Sequence, residues 1–434
     1  MVPPYQFSGI LVRVSQNASL ADYRTALTAP GARGPVLTSL LARLPVAMVG
    51  IALLFYVQRV SGSFAAASLV SAGALVGVAM GSVLQGRLVD LVGPTRVLLT
   101  ASALFSVMVT AEILAIESGA PAWLMAVLAL ALGTSQPMVG SSSRSLWTRL
   151  LPPGSARQAA YSYEAISMEV FFILGPGLAG LFTALPWAGT GVLLGAVCEV
   201  VGATGFALTR TVRAWRPRSD ERASVGMLGA LSTPGMRTVA IAALGFGVTI
   251  GFVEVAVPAA ATHAGHEALG GVLLSVWSVS SVIFGVLYGS RPWPRPIYLR
   301  LPVLLGGFSV LVTLLAIPTT LIGLAVALFV VGTLITPQAM THSAAIEEVA
   351  LPGTATEAFG WVITAVTVGL AFGQLLSGQL IELFGPPAAF LASAFFGLVI
   401  ASVVWLRRHS VRDSRQWLEN AASCTRDEVE LAGR

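Results

Sequence analysis

The amino-acid sequence predicts an all-α polytopic membrane protein with twelve transmembrane helices in two pseudo-symmetric six-helix bundles. Three observations predict this fold: the composition, the length of the apolar runs and the distribution of arginine. Hydrophobic residues make up 55% of the 434 residues and charged residues only 10%, against roughly 25% charged residues in soluble proteins. Several apolar runs exceed the roughly 20 residues that cross about 30 Å of hydrocarbon. These features exclude a soluble enzyme, a disordered scaffold and a membrane β-barrel, whose alternation is weaker in each segment.

Hydropathy windows of about 19 residues place six spans in each half of the chain. We number them 1 to 12 in chain order, and their predicted limits are 36–58, 64–88, 97–116, 122–143, 159–183, 187–209, 238–260, 268–290, 299–318, 320–342, 357–382 and 386–406.

The basic residues, all of them arginine, provide an independent check on the number of spans. Cytoplasmic loops collect positive residues. If the N-terminus is cytoplasmic, only Arg59 falls outside, so we expect a multi-pass protein of the cell membrane with both termini in the cytoplasm. The expected divisions are a cytoplasmic N-terminal segment (1–34), an N-terminal bundle (35–210), a cytoplasmic linker (211–236), a C-terminal bundle (237–408) and a cytoplasmic tail (409–434).

A faint internal repeat accompanies the two equal halves. The matches at an offset of 199 are Gly133 and Thr134 with Gly332 and Thr333, and PGSARQA (153–159) with PGTATEA (352–358). Because the matches fall at corresponding span ends, duplication is the better interpretation. Two similar halves in a membrane protein typically face each other across a central path.

The turn between spans 2 and 3 carries the sharpest motif, GRLVDLVGPTR at 86–96. Gly86 permits close helix packing, Gly93 permits a tight turn with positive φ, and Asp90 can face a helix N-terminus. This motif resembles the signature loop of the major facilitator superfamily, with Leu91 in place of the first basic residue and Arg96 one place late. The resemblance implies a loop that holds one access state closed; the alternative is a charged loop that merely anchors two spans.

A second motif, GPGLAG at 175–180, lies in span 5. It is similar to the end of the Gly-Pro motif of proton-driven drug exporters in that superfamily, which implies a gating role for Gly175, Pro176 and Gly180. Helix packing explains these residues equally well. Span 4 lacks the basic residue that those exporters have early in this helix. Three further segments, RLPVAMVGIAL in span 1, SSRSLWTRLLP after span 4 and FVEVAVPAA in span 7, are similar to a bacterial, efflux-like branch of the same superfamily. With them, the resemblance covers residues 35–408.

Ionisable residues within spans cost roughly 2.5 to 3.5 kcal/mol on insertion scales, so each is a candidate for function. Glu169 is near the midplane of span 5 and is the first candidate to bind a proton or a cationic substrate; a structural hydrogen bond is the alternative. Arg43 in span 1 is a candidate for an anionic substrate or a carboxylate partner, or it extends to the interface. The resemblance places Glu254 and Arg144 on cavity-lining helices.

Other polar residues receive weaker expectations. Glu164 is near the inner mouth, where a gate ion pair with an arginine such as Arg157 is one interpretation. Glu112 and Glu199 are expected to have packing roles, because spans 3 and 6 are peripheral in the superfamily. The HAGHE segment around His263 and His266 is expected to be a solvated loop rather than a zinc site.

The sequence therefore predicts a secondary active transporter, not an enzyme, that works by alternating access without a cofactor or metal. Proton-coupled export of a hydrophobic or amphipathic compound is favoured, because the spans offer much apolar surface and few fixed polar groups. Uptake of a small metabolite, a receptor-like protein that does not transport and a membrane-embedded enzyme are the alternatives. The expected partners are a small-molecule substrate, a proton and the lipid bilayer, with no nucleic acid, and the expected functional unit is a monomer.

Overall fold

A computed structural model of the chain describes residues 20–152, 154–215, 229–289, 295–350 and 355–414. The described residues contain twelve helical spans long and apolar enough to cross a membrane, and they form no strand. The spans are Arg33–Ser61, Phe64–Val92, Pro94–Glu117, Ala122–Ser135 with Val139–Leu150, Ser155–Thr183, Thr190–Leu208, Pro234–His263, Leu269–Gly289, Ile297–Val312, Leu321–Gly332 with Ile335–Val349, Ala355–Phe384 and Pro386–Leu406.

These spans confirm the predicted all-α, twelve-span fold. Short helices Leu20–Leu27, Arg210–Arg213 and Arg408–Arg412 and the 3₁₀ turn Gly229–Ser232 lie outside the bilayer-crossing set. The 3₁₀ turn Thr313–Ala316 instead extends span 9 to Ala316. The expectations for 1–19, for 216–228 of the linker and for 415–434 of the tail lie outside the described residues.

Spans 4 and 10 are each broken into two helices, which hydropathy does not predict. Span 4 breaks at Gln136–Met138, where Pro137 supplies no N–H for helical hydrogen bonding. Span 10 breaks at Thr333 and Leu334. Broken helices are tolerated at membrane depth where the freed backbone is buried in protein or lines a cavity. The equivalent positions of the two breaks agree with a duplicated architecture.

The repeated glycines make the same contact in both halves. A methyl group on Gly133 would collide with the carbonyl oxygen of Ala74 in span 2, and one on Gly332 would collide with the carbonyl oxygen of Trp277 in span 8. Spans 2 and 8 occupy equivalent places in a six-plus-six repeat. Small residues at such crossings let membrane helices approach closely, so the repeat in the sequence reflects a repeated helix crossing.

Alanine at Gly133 or Gly332 is therefore expected to destabilise the protein by about 1 to 3 kcal/mol, the usual cost of overpacking. Thermal unfolding in detergent measures this loss. Gly360→Ala is the matched control, because a methyl group there meets open space and alanine favours a helix over glycine. Equal effects at all three positions would contradict the crossing as the cause.

Because the number of spans is even, Leu20 and Ser414 lie at one end of the bundle, which we call the terminal end. The turns at Gly62 and Gly385 lie at the other, the closed end; both glycines have positive φ, +71° and +80°. We call spans 1–6 the N-half and spans 7–12 the C-half. The halves contact each other mainly through span 2 with span 11 and span 5 with span 8.

Backbone-to-backbone crossings bring the halves together at the closed end. A methyl group on Gly180 would lie 2.6 Å from the carbonyl oxygen of Ala268 and 2.9 Å from Cα of Gly271. On span 11, a methyl group on Gly378 would lie 2.6 Å from the carbonyl oxygen of Phe64. The side chain of Ser68 also lies against Gly378, so the halves approach each other here with only backbone and a small side chain between them.

Polar groups add to this closure. Glu382 of the C-half accepts hydrogen bonds from the Ser63 hydroxyl and, at 3.0 Å, from the backbone N–H of Ala65 at the start of span 2. In the loop after span 7, burial raises the pKa of the Glu267 carboxyl, and the charge of Arg59 from the N-half partly offsets this. The hydrogen bonds of Glu382 and the attraction between Arg59 and Glu267 both act between the two halves.

Candidate functional site

A central cavity of about 330 Å³ lies between the halves, a volume within the usual range for small-molecule sites. Most of its wall is apolar. Val46, Phe172 and Ile363 line it and remain 45%, 46% and 59% exposed, so the cavity is open to the surface. The polar and aromatic side chains of its wall are Ser71, Gln136, Phe172, Glu254, Trp277, Ser278, Thr367 and Gln374.

Glu254 is the only charged residue among the described side chains of this wall. It lies in span 7, and its Oε2 accepts a 2.9 Å hydrogen bond from Nε2 of Gln374 in span 11. The side-chain oxygen of Gln374, Oε1, has no hydrogen-bond partner among the described residues. A carboxylate held by one amide, beside a free amide acceptor, can bind a proton or the donor group of a substrate.

A second amide and carboxylate pair lies on the opposite wall. Gln136, at the break of span 4, donates a 3.0 Å hydrogen bond to Oε2 of Glu199 in span 6. Glu199 is fully buried, so it reaches the cavity only through Gln136. The sequence assigned Glu199 to packing; in the structure it also orients a side chain that lines the cavity.

Gln85, a residue that the sequence pattern did not single out, fixes the break that positions Gln136. Its side-chain amide donates to the carbonyl oxygens of Thr134 at 3.1 Å and Gln136 at 2.7 Å. Its own oxygen accepts from the N–H of Met138 at 3.1 Å. One side chain thus satisfies three backbone groups freed by the break. The available signal was a glutamine within the apolar run of span 2 together with a Gln-Pro step in span 4.

The N-half contains a buried ion pair between Arg43 of span 1 and Glu164 of span 5. Oε1 of Glu164 also accepts 2.8 Å hydrogen bonds from Ser143 and from the indole N–H of Trp147. Arg43 donates a further 3.3 Å bond to Ser143. Two of its nitrogens, Nε and Nη1, have no partner among the described residues. Arg157 instead donates to the carbonyl of Leu151, so Glu164 pairs with a different arginine from the example the sequence suggested.

The signature-loop residues lie at the terminal end. Gly93 has a φ of +89°, as expected for the tight turn. The expectation that Gly86 packs closely against a neighbour is wrong for this state, because a methyl group there would meet nothing within 4 Å. The reason is that the halves are closed at the other end. Arg96 is exposed, and the side chain of Asp90 lies outside what the structure describes.

The Gly-Pro motif of span 5 lies at two helix crossings. A methyl group on Gly175 would lie 2.8 Å from Cβ of Ala47 in span 1, while Gly180 meets Gly271 of the C-half. Pro176 lines the central cavity between these crossings. The motif therefore packs span 5 against span 1 within the N-half and against span 8 of the C-half.

The remaining candidates are dispersed. Arg144 is exposed, and Glu169 belongs to span 5 but its side chain lies outside the described set. Glu112 is fully buried, and neither carboxylate oxygen has a hydrogen-bond partner among the described residues. His263 bonds through Nδ1 to the carbonyl of Ala259.

Comparisons with known proteins agree with this architecture. Among solved structures, the chain is similar to a variant of the nucleoside transporter NupG, with a TM-score of 0.68, 14% identity and coverage of 86% of this chain and 99% of the other. For NupG itself the values are 0.65, 13%, 87% and 98%, and for the human organic anion transporter MFSD10 (TETRAN) they are 0.58, 16%, 86% and 99%. At these identities the likeness concerns the fold.

No curated protein sequence matches the chain. A family model does match it, that of the Major Facilitator Superfamily, over residues 36–356. This match covers most of both halves and includes the signature loop, the Gly-Pro motif and the wall of the central cavity on spans 1 to 8. The chain belongs to the Major Facilitator Superfamily.

Proposed function

We propose that this multi-pass protein exports a hydrophobic or amphipathic small molecule from the cell in exchange for protons, acting as a monomer in the cell membrane. The observation that carries the proposal is the composition of the central cavity: its described wall is apolar apart from amides, hydroxyls and the single carboxylate of Glu254. An apolar wall binds an amphipathic solute, and one carboxylate suffices to exchange a proton for a cationic or donor group.

The charge of the wall favours a neutral or cationic substrate. No described residue of the wall is basic, so an anionic substrate would find no counter-charge there and would face Glu254. Arg43 does not supply that charge, because it is buried and paired with Glu164. We therefore favour a lipophilic cation or neutral amphipath over an organic anion.

The topology inferred from arginine sets which side the cavity faces in this state, and exporters and importers both pass through a state open to the cytoplasm. With both termini in the cytoplasm, the closed end faces outward and the cavity opens inward. Alternating access then requires the crossing at Gly180 and Gly271 to separate while the terminal end, with Gly86 and its loop, closes. A substrate entering from the cytoplasm or from the inner leaflet would bind between Glu254 and Gln136 before this exchange.

A second candidate function is uptake of an uncharged ring compound. Trp277 and Phe172 offer aromatic surfaces, and Gln136 and Gln374 offer donors and acceptors for such a solute. One structural neighbour is a nucleoside transporter by its title. The two candidates differ in direction and substrate, so transport assays in vesicles of opposite orientation separate them.

Transport of a lipophilic cationic dye, ethidium, into inside-out proteoliposomes under an imposed proton gradient tests the proposal. Wild-type protein should accumulate dye, and Glu254→Gln should reduce proton-driven accumulation at least tenfold while a dye gradient still drives downhill flux. Radiolabelled uridine in right-side-out vesicles tests the second candidate.

Glu112→Gln is the matched control, since it neutralises another buried carboxylate that is absent from the cavity wall. It should transport normally. Glu169→Gln tests the first candidate from the sequence in the same assay. Proton-driven transport by Glu254→Gln at the wild-type rate would overturn the assignment of Glu254, and no dye movement by folded wild-type protein would overturn proton-coupled export of such cations.

A further inference from the structure

A second cavity opens on the outer surface of the N-half, away from the central path. It is a groove of about 590 Å³ between spans 2 and 3, with the first helix of span 4 as its floor. Its long axis follows residues 80–92 of span 2 and 96–108 of span 3, so it covers the half of the bilayer nearer the terminal end. None of its lining residues lines the central cavity. Span 4 lies between the two: Leu130 and Ala131 line the groove, and Leu132 and Gly133 line the cavity.

The groove faces lipid. Met80, Leu84 and Leu104 line it and are 54%, 52% and 52% exposed. Large apolar side chains exposed at membrane depth contact acyl chains rather than water. Ala101 and Ala131 also line the groove. Their small side chains leave open the space between the larger side chains at its edges. An acyl chain fits such a slot, whereas a folded partner would need a broad surface.

Arg96 supplies a charge at the mouth of the groove. It lies in the first turn of span 3, at the level where the helix leaves the bilayer, and it is exposed. It makes no hydrogen bond or ion pair with another described residue. Basic residues at pockets between membrane helices attract anionic lipid headgroups. The other polar residues of this wall are Gln85, Thr100, Thr134 and Ser135. They are uncharged, and Gln85 is fully hydrogen-bonded to the backbone of the span 4 break.

We propose that this groove is a binding site for an anionic phospholipid, with one acyl chain between spans 2 and 3 and the headgroup phosphate on Arg96. The arrangement matches that of a phospholipid, because Arg96 lies at the interfacial end of the apolar groove, as a headgroup lies at the end of its acyl chains. The site is separate from transport chemistry, so its test does not depend on the proposed function.

Native mass spectrometry of the full chain in a neutral detergent measures the site directly. Phosphatidylglycerol should bind as a one-to-one adduct about fivefold more tightly than phosphatidylcholine of the same acyl composition, the change expected for one arginine near a lipid phosphate. Arg96→Gln should abolish this preference. Arg87→Gln is the matched control, because Arg87 is an exposed arginine at the same end that does not line the groove.

A second variant tests the slot rather than the charge. Ala131→Leu fills the floor, and it should weaken binding of both lipids while circular dichroism and elution volume show a folded protein. Inorganic phosphate at millimolar concentration should not displace the lipid if the acyl chain contributes. Equal binding of the two lipids by wild-type protein, an equal effect of Arg87→Gln, or displacement by phosphate alone would overturn the proposal.

Discussion

Glu164→Gln is expected to lower the free energy of unfolding by about 3 to 5 kcal/mol, because it leaves the buried charge of Arg43 without a counter-ion. Glutamine keeps the shape of the side chain and can still bond Ser143 and Trp147, so the loss reports the charge. Arg43→Met should cost a similar amount, since it leaves the carboxylate of Glu164 buried and uncompensated. Chemical unfolding in detergent, followed by tryptophan fluorescence, measures both.

The double variant Arg43→Met with Glu164→Gln should recover most of the loss, because replacing both members of a buried pair by neutral groups is often neutral or stabilising. The double-mutant cycle then gives a large coupling energy. Arg144→Met is the matched control: it removes an exposed arginine of span 4 and should change stability by no more than about 0.5 kcal/mol. Additive effects of the two single changes would contradict a coupled ion pair.

Gly271→Val is expected to reduce transport at least tenfold by preventing closure between span 5 and span 8. The added Cβ would collide with the carbonyl oxygen of Pro176 and lie 2.8 Å from the backbone nitrogen of Gly180. These are backbone atoms, which cannot turn away as a side chain can. The variant should therefore shift the population away from the state closed at this end, because it raises the free energy of that state alone.

Spin labels at Leu185 and Ala264, on loops of opposite halves, measure the distance between the two halves at the closed end by double electron–electron resonance. The mean distance should increase in Gly271→Val and stay unchanged in Gly360→Val, where a Cβ meets open space. Lost transport with an unchanged distance would exclude failed closure as the cause. An increased distance with normal transport would show that this crossing is not needed in the cycle.

Several features of the site could be predicted because they depend on local sequence. The cost of a charge in hydrocarbon singled out Arg43, Glu164 and Glu254 as candidates, and the structure places them in an ion pair and in the cavity wall. The need for positive φ singled out Gly93. Each of these inferences used one residue and its neighbours along the chain.

The partners of those residues could not be predicted in this way. Arg43 and Glu164 are 121 residues apart, and Glu254 and Gln374 are 120 residues apart. Whether two such residues meet depends on the rotation of each helix about its axis and on the angle at which the helices cross. The same reason explains why Gln85 was missed: its role exists only because span 2 packs against the break of span 4.

The sequence by itself determined that the chain crosses a membrane twelve times as two related halves, because hydrocarbon thickness sets the length of each apolar run and duplication leaves matching glycines such as Gly133 and Gly332. Only the tertiary structure decided which end is closed, which carboxylate faces the cavity and which arginine is paired. Lipid and protein interior are both apolar, so hydropathy cannot distinguish the face of a helix that packs on its neighbours from the face that meets lipid.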